Sequence, residues 1–164
     1  MGFGTNPAMA AEVVSHVRKI YPKHLIVKLT PNVSSIAEIA QAVEGAGADS
    51  LSMINTVLAM AVDAEKRKAV LSTITAGLSG PAIKPIGLRC VYQASKAVKI
   101  PIIGLGGITN ATDAIEYILA GASAIQIGTQ NFVNPFVGKE VIEGMKEYLD
   151  RHNLKHIHEI KGVI

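Results

Sequence analysis

The stretch PIIGLGGITN, Pro101 to Asn110, decides how this chain reads. An apolar pair, Ile102-Ile103, runs straight into three glycines within four positions: Gly104, Gly106 and Gly107. Glycines packed this closely behind a strand mark a place where something approaches the backbone too closely for a side chain. A helical pattern follows, NATDAIEYILAGA, with Asn110 or Thr112 as its cap. Strand, glycine turn and helix in that order make one β/α unit.

The same alternation extends in both directions. Upstream, NPAMAAEVVSHVRKIY reads as a helix with Asn6 at the N-cap and Pro7 in the first turn. LIVKLT, Leu25 to Thr30, is a β-rich run. SSIAEIAQAVEGAGA is a helix capped by Ser34 or Ser35 that stops near Gly45 or Gly47. SLSMIN is a strand and KPIGLRCVYQASKAV a helix. Downstream, SAIQIGT is a strand, and NPFVGKEVIEGMKEYLDRH a helix with Asn134 and Pro135 marking its start. Strands alternating with helices of this length predict an α/β fold of right-handed βαβ units on a parallel sheet. The strands are near-continuous apolar runs, as expected where both sheet faces are covered. One connection is oversized: Val57–Pro81 carries two apolar patches around the charged turn DAEKRK. It reads as a β-hairpin excursion on a βα loop, and loops this long in compact domains are usually functional.

Composition narrows the classes. The chain has 164 residues, one domain's worth, with 49% hydrophobic and 18% charged residues. That charged share is below the usual ~25%, which predicts surface buried against a partner or a place in something larger. Net charge is +3 and aromatics are 4%, with no Lys/Arg run longer than KRK at Lys66–Lys68 and no interleaved rings. Nucleic-acid binding is therefore not expected. No run is long enough to span a membrane and no leader pattern is evident, and one cysteine, Cys90, excludes an internal disulfide. These features predict a cytoplasmic protein.

The glycines then ask for a ligand. The dinucleotide fingerprint G-x-G-x-x-G fails, because its last position is Thr109, and no acidic residue follows in SAIQIG. A second pattern fits better. Gly106-Gly107 follows one strand and Gly128-Thr129 follows the next. In (β/α)₈ barrels, consecutive late βα loops commonly hold a phosphate with backbone N–H groups and helix N-termini. Lys28 sits inside the apolar run IVKLT, where an unpaired ammonium would need a bound anion or electron-rich ring. Asn55-Thr56 ends the next strand. Lys28, Asn55, Gly106 and Gly128 thus share the C-terminal strand ends, where barrel enzymes keep their sites. His152 and His156 stand four apart in a polar tail with no third ligand type nearby, so no metal site is expected.

Taken together, IVKLTPNV, SMINT, GLSGPAIKP, PIIGLGGITNATDAIEYILAGASAIQIGT and NFVNPF resemble the dihydroorotate dehydrogenase catalytic subunit of class 1B, the FMN-dependent, NAD-linked type. The resemblance covers nearly the whole chain, matched to the C-terminal half of that family. It implies a half barrel, strands five to eight of a (β/α)₈ TIM barrel, as a single unit over 1–164 with the hairpin at 57–81. It implies FMN contacts at Lys28, Ile54, Gly80, Gly106, Gly107, Gly128 and Thr129, and pyrimidine contacts at Asn55 and Thr56. On that reading the glycine turns and Thr129 take the FMN phosphate, Lys28 answers negative charge on the flavin ring, and Ile54 packs on it. The parent activity is oxidation of dihydroorotate to orotate in pyrimidine synthesis, with an electron-transfer flavoprotein partner carrying FAD and an iron–sulfur cluster. The family's general base is a cysteine placed just before the segment matching FGTNP. It has no counterpart here, because Cys90 falls mid-helix as a buried small hydrophobe. The chain alone is therefore expected to be inactive. A non-catalytic phosphate-binding half barrel and a uracil-reducing flavoenzyme are the alternatives; a sugar-phosphate isomerase fits poorly with Asn55-Thr56 and GLSGPAIKP. Four strands of a barrel would leave LIVKLT and SAIQIGT as open edges and an inward face of mainly Ile, Leu, Val and Ala. That predicts a homo-oligomer.

Overall fold

A computed structural model describes residues 2–164. Helix α1 (Pro7–Ile20) opens with the Asn6 side chain accepting the Met9 N–H. Strand β1 (Ile26–Leu29) and helix α2 (Ile36–Gly45) follow, α2 capped by Ser35 through the Glu38 N–H. Strand β2 (Ser50–Met53) leads into an excursion. There β3 (Val57–Met60) pairs antiparallel with β6 (Thr75–Leu78), and the short β4 (Val62–Asp63) and β5 (Lys68–Ala69) form its tip. A 3₁₀ turn, Pro81–Ile83, runs into α3 (Lys84–Ser95). Then come β7 (Ile102–Leu105), α4 (Ala111–Leu119), β8 (Ala124–Gln126), a short α5 (Gln130–Val133) and α6 (Val137–Arg151). The expected Asn134–Pro135 helix start is therefore off. Asn134 is extended and closes α5. Its side chain accepts the Phe136 N–H and donates to Glu140, and helical backbone resumes at Val137.

The main sheet is parallel throughout, in the order β1-β2-β7-β8, so β1 and β8 are its edges. Register puts Ile26 and Lys28 beside Ser50 and Ser52, Ser52 beside Ile103, and Leu105 beside Gln126. Side chains alternate across a pleat. Leu29, Leu51, Met53 and Ile102 therefore point together to the face that α2, α3 and α4 cover, and all are buried. Their companions in that core are Ile39, Val43, Val91 and Ile118. Cys90 also packs there, fully buried.

The opposite face corrects two expectations. It carries no helices, so the strands are covered on one side only. It is also not mainly aliphatic: Lys28, Ser50, Ser52 and Gln126 share it with Ile26, Ile103, Leu105 and Ala124. The Ser52 hydroxyl donates to Gln126 Oε1 at 2.8 Å across β7, and His24 meets Ser50 at 2.9 Å. Apolar runs read as doubly covered strands because Ser and Gln at single positions barely change the hydropathy of a four-residue strand.

Candidate functional site

The C-terminal ends of all four strands open on one side, and each is followed by a polar or glycine-rich turn. The turn after β7 is held from below. Gly104 leaves room for the Tyr117 ring, whose Cδ1 would lie 2.5 Å from an added Cβ. The Tyr117 hydroxyl donates to the Gly106 carbonyl at 2.7 Å, fully buried, and burial raises that phenol well above its ordinary pKa. Gly107 takes φ +71°, and an added Cβ would sit 2.8 Å from the Lys84 nitrogen and 2.9 Å from the Gly80 oxygen. Two of the three glycines thus have separate causes. Gly104 is required by an internal ring, and Gly107 by close backbone packing against the 3₁₀ turn.

A charged cluster fixes the same turn from the side. Asp113 Oδ2 accepts from the Thr109 N–H at 2.8 Å and the Thr109 hydroxyl at 2.7 Å, while Oδ1 meets the Lys84 ammonium at 2.6 Å. Lys84 also pairs with Glu116 at 2.7 Å. Burial pushes the Asp113 carboxyl up, but Lys84 and Thr109 outweigh it and hold it below its ordinary value. Lys84 is raised, mainly by Asp113 and then by Glu116. At the N-terminus of α4 the Asn110 side chain accepts the Asp113 N–H. The helix after Gly128-Thr129 is only the four-residue α5, so backbone N–H groups, not helix dipoles, are what this rim offers. Among the described residues, the N–H groups of Gly107, Ile108, Gly128 and Thr129 find no protein acceptor.

Every position expected to touch the cofactor or a pyrimidine lines one cleft of about 130 Å³: Lys28, Ile54, Asn55, Thr56, Gly80, Gly106, Gly107, Gly128 and Thr129. Sequence reading does not single out Ser79, Ile83 and Leu105, which complete the wall. The Thr129 hydroxyl donates to Ser79 at 2.9 Å, joining the β8 turn to the excursion. A furrow between Gly107, Gly128, Thr129 and Gly80 continues the cleft outward. On the other side, Lys28, Asn55 and Thr56 are shared with a second cleft of about 250 Å³, lined also by Gly4, Thr30 and Asn32.

Asn32 is the second omission. Its amide donates to Thr30 Oγ1 and to the Thr56 carbonyl, both at 3.0 Å, and its carbonyl accepts the Leu58 N–H at 2.9 Å. It therefore ties the end of β1 to the root of the hairpin and fixes Asn55-Thr56 between them. An Asn three residues beyond a strand is a turn signal, but its long-range partners are invisible without the fold.

Lys28 also corrects an expectation. It is exposed on the uncovered face, not buried in an apolar strand. Among the described residues it has no ion-pair partner, whereas Lys84, the other lysine near the cleft, is already paired twice. Lys28 is thus the cation that the cleft can direct at a ligand. Cys90 lines neither cleft, and burial pushes its thiol up. Of the tail histidines, His152 lies against Tyr148 with ring centroids 4.2 Å apart, and His156 caps the last 3₁₀ turn. No group of three or more metal-ligating side chains occurs among the described residues, nor any helix long and apolar enough to cross a membrane.

With this geometry in hand, the chain can be set beside known proteins. The family model for dihydroorotate dehydrogenase matches residues 1–149. A Parabacteroides distasonis protein named dihydroorotate dehydrogenase B (NAD(+)), catalytic subunit, is 62% identical over 164 residues, all of this chain and 54% of the relative. The Bacteroides fragilis protein of the same name is 57% identical over the same span, again 54% of its length. A crystal structure of the Eimeria tenella enzyme with ferulenol superposes with a TM-score of 0.79 at 22% identity, over 96% of this chain and 48% of that one. That last likeness speaks for the fold alone. The chain spans about half the length of the curated relatives it matches.

Proposed function

We propose that this chain, which belongs to the dihydroorotate dehydrogenase family, carries the FMN-binding part of an enzyme that oxidises dihydroorotate to orotate in pyrimidine synthesis. The observation that carries the reading is the convergence on one cleft of every position the family resemblance nominated, though those positions span Lys28 to Thr129. The donor set fits the group. The free N–H groups of the two glycine turns and the hydroxyls of Ser79 and Thr129 suit a phosphate. Ile54 and Leu105 offer apolar walls to a ring system. Lys28 stands where negative charge on that ring would need an answer. Asn55 and Thr56, shared with the adjoining polar cleft, supply the amide and hydroxyl that a pyrimidine edge can pair with.

When bound, FMN would supply the hydride chemistry. The chain's own residues bind and orient: Asn32 holds Asn55-Thr56, Tyr117 holds the Gly106 carbonyl, and the Asp113–Lys84 pair holds Thr109 beside it. None of them is a cysteine base, and Cys90 is too deep to serve. The 164-residue chain by itself is therefore proposed not to turn over dihydroorotate. The four strands are proposed to stand as strands five to eight of a (β/α)₈ barrel, since its phosphate sites commonly follow the last two strands. A small-molecule pyrimidine, an electron-transfer flavoprotein subunit with FAD and an iron–sulfur cluster, and a cytoplasmic setting complete the proposal. The names of the relatives, which specify a catalytic subunit and NAD(+), support the partner.

The test is flavin binding. FMN titrated into the apo-chain should quench flavin fluorescence saturably, and Lys28→Ala should weaken binding at least tenfold, ~1.4 kcal/mol. Absence of binding by the wild-type chain would defeat the cofactor reading. Equal affinity of the two proteins would make Lys28 an ordinary surface lysine. Detectable oxidation of dihydroorotate would refute the claim of inactivity.

A further inference from the structure

We infer that Gly77, on β6 of the hairpin, is a positioning residue for the pyrimidine side of the cleft: the space left by its missing side chain seats the Thr56 hydroxyl. The inference rests on the pyrimidine reading of Asn55 and Thr56. An added Cβ at Gly77 would lie 2.2 Å from Thr56 Oγ1, 2.7 Å from its Cβ and 3.1 Å from its Cγ2. The three nearest atoms thus belong to one side chain, and Thr56 lines both clefts. Backbone conformation gives no second reason for a glycine. Gly77 does not take a positive φ, unlike Gly80, Gly106 and Gly107. A glycine inside a strand weakens it through entropy and lost packing, and often marks a close approach. In the four-residue β6 that approach is made by Thr56.

The Thr56 backbone is held in place. Its N–H donates to Asn55 Oδ1 at 2.8 Å, and its carbonyl accepts from the Asn32 amide at 3.0 Å. Asn32 also accepts, at 2.9 Å, the N–H of Leu58, the residue opposite Gly77 in the β3–β6 ladder. One amide therefore ties both Thr56 and the strand that faces Gly77. The untied part is the Thr56 side chain, whose hydroxyl finds no hydrogen-bond partner among the described residues. A methyl group at position 77 would act on that side chain and move the hydroxyl. The phosphate side of the cleft is built from other contacts: Ser79 is joined to Thr129 at 2.9 Å, and Gly107 packs against Lys84 and Gly80. The change should disturb one end of the cleft and spare the other.

Calorimetric titration of orotate into the 164-residue chain, with and without saturating FMN, tests the inference. Quenching of FMN fluorescence is the second readout. Gly77→Ala should weaken orotate binding about tenfold, the order of one lost hydrogen bond, and leave FMN affinity within about twofold. In a Thr56→Gly background the same substitution should change orotate affinity no further, because the residue it acts through is gone. Unchanged orotate affinity in Gly77→Ala would overturn the inference. Equal losses for orotate and FMN would do the same, since they mark a merely structural glycine, and so would a loss that persists in the Thr56→Gly background. If Gly77→Ala fails to fold, adding Thr56→Gly should restore the fold, and Thr56→Val alone should reproduce the orotate loss with FMN affinity intact; failure of either overturns the inference. A wild-type chain that takes up no orotate under either condition overturns it as well. Failure of FMN to bind strikes the cofactor reading instead, and the titrations without FMN then decide the role of Gly77.

Discussion

At the turn after β7, a methyl group added to Gly107 would meet backbone at 2.8 and 2.9 Å; at the turn after β8, one added to Gly128 would meet nothing within 4 Å. The two turns follow neighbouring strands and lie on the same cleft, yet one faces the protein and the other faces outward. Around Gly107 stand Tyr117, Lys84, Asp113 and Thr109, whose side chains are all partnered, while the N–H groups of Gly107 and Ile108 stay free. Around Gly128 there is a four-residue helix, the Thr129–Ser79 bond and the Asn131 amide, which donates to the Ile127 and Gly128 carbonyls. A glycine can therefore be demanded by packing or left open for a ligand. Only a substitution separates the two demands, because stability reads the first and binding reads the second.

The sharpest way to break the comparison is Gly107→Ala. Its φ of +71° is unfavourable for any residue with a Cβ, and the nearest atoms are backbone, which cannot swing aside. Strain and overpacking each run to about 1–3 kcal/mol, so a loss of about 3 kcal/mol is expected. Urea denaturation measures it. A midpoint within error of the wild type would show that the turn yields, and the inward half of the comparison would fall.

Next in size is Tyr117→Phe. The hydroxyl is removed without changing the ring, so Gly104 keeps its neighbour while the buried Gly106 carbonyl loses its donor. Leaving a buried acceptor unsatisfied costs about 1–3 kcal/mol, and about 2 is expected here. An unchanged midpoint would mean that water replaces the hydroxyl, and that the turn is less closed than its packing implies.

Asp113→Asn sharpens the comparison through pH. The folded carboxyl lies below its ordinary value of 3.8, so its stabilisation is present above that value and fades as pH falls through the folded one. Lys84 lies above its ordinary 10.5, so its share is present below that value and fades as pH rises through the folded one. Between these limits the variant should be less stable by about 1.5 kcal/mol, the order of a hydrogen bond to a charged group. The gap should close in strong acid, where the wild-type carboxyl is protonated as well. Stability curves from pH 2 to 8 check this, and parallel curves would remove Asp113 from the support of the β7 turn.

These particular residues also mark what could be read in advance. The β/α alternation, the cap Asn6, the caps Ser35 and Asn110 to within one neighbouring choice each (Ser34, Thr112), the hairpin and both open edges were legible, because each depends on local chemistry: hydrophobic period, a cap oxygen, a breaker. Part of the cleft lining was legible, Lys28, Asn55, Gly106 and Gly128, because strand ends fall on one rim in any parallel sheet, whereas Ile54 and Gly80 came only with the family resemblance. The support was not. Asp113 and Glu116 stand three apart and suggest one acidic helix face, but their cation is Lys84, on another helix. Asn32 bridges to Thr56 and Leu58 across 24 and 26 positions. The crowding behind Gly104 and Gly107 was hidden because a sequence does not say on which side of the backbone it lies. Lys28 looked buried because its neighbours in the strand are apolar, though the face it occupies has no helix over it.

The smallest effect on stability, and the most telling for the comparison, belongs to Gly128→Ala. No atom lies within 4 Å of the added methyl, and the residue does not occupy the left-handed region. The change should therefore fall within the roughly ±0.5 kcal/mol of an unconstrained surface site, with a slight gain possible from reduced freedom of the unfolded chain. Binding should respond differently. If backbone N–H groups at this turn receive a phosphate, a methyl in the open approach displaces it, and FMN affinity should drop about tenfold while the denaturation midpoint stays put. Inorganic phosphate gives a second reading, since its competition with FMN should weaken in step. A variant that is stable and binds FMN as the wild type does would leave the β8 turn open for no ligand, and the phosphate would then have to lie nearer Gly107. A variant that loses stability would instead show that this turn is packed like its neighbour, by contacts that form only when the open edge of β8 is covered.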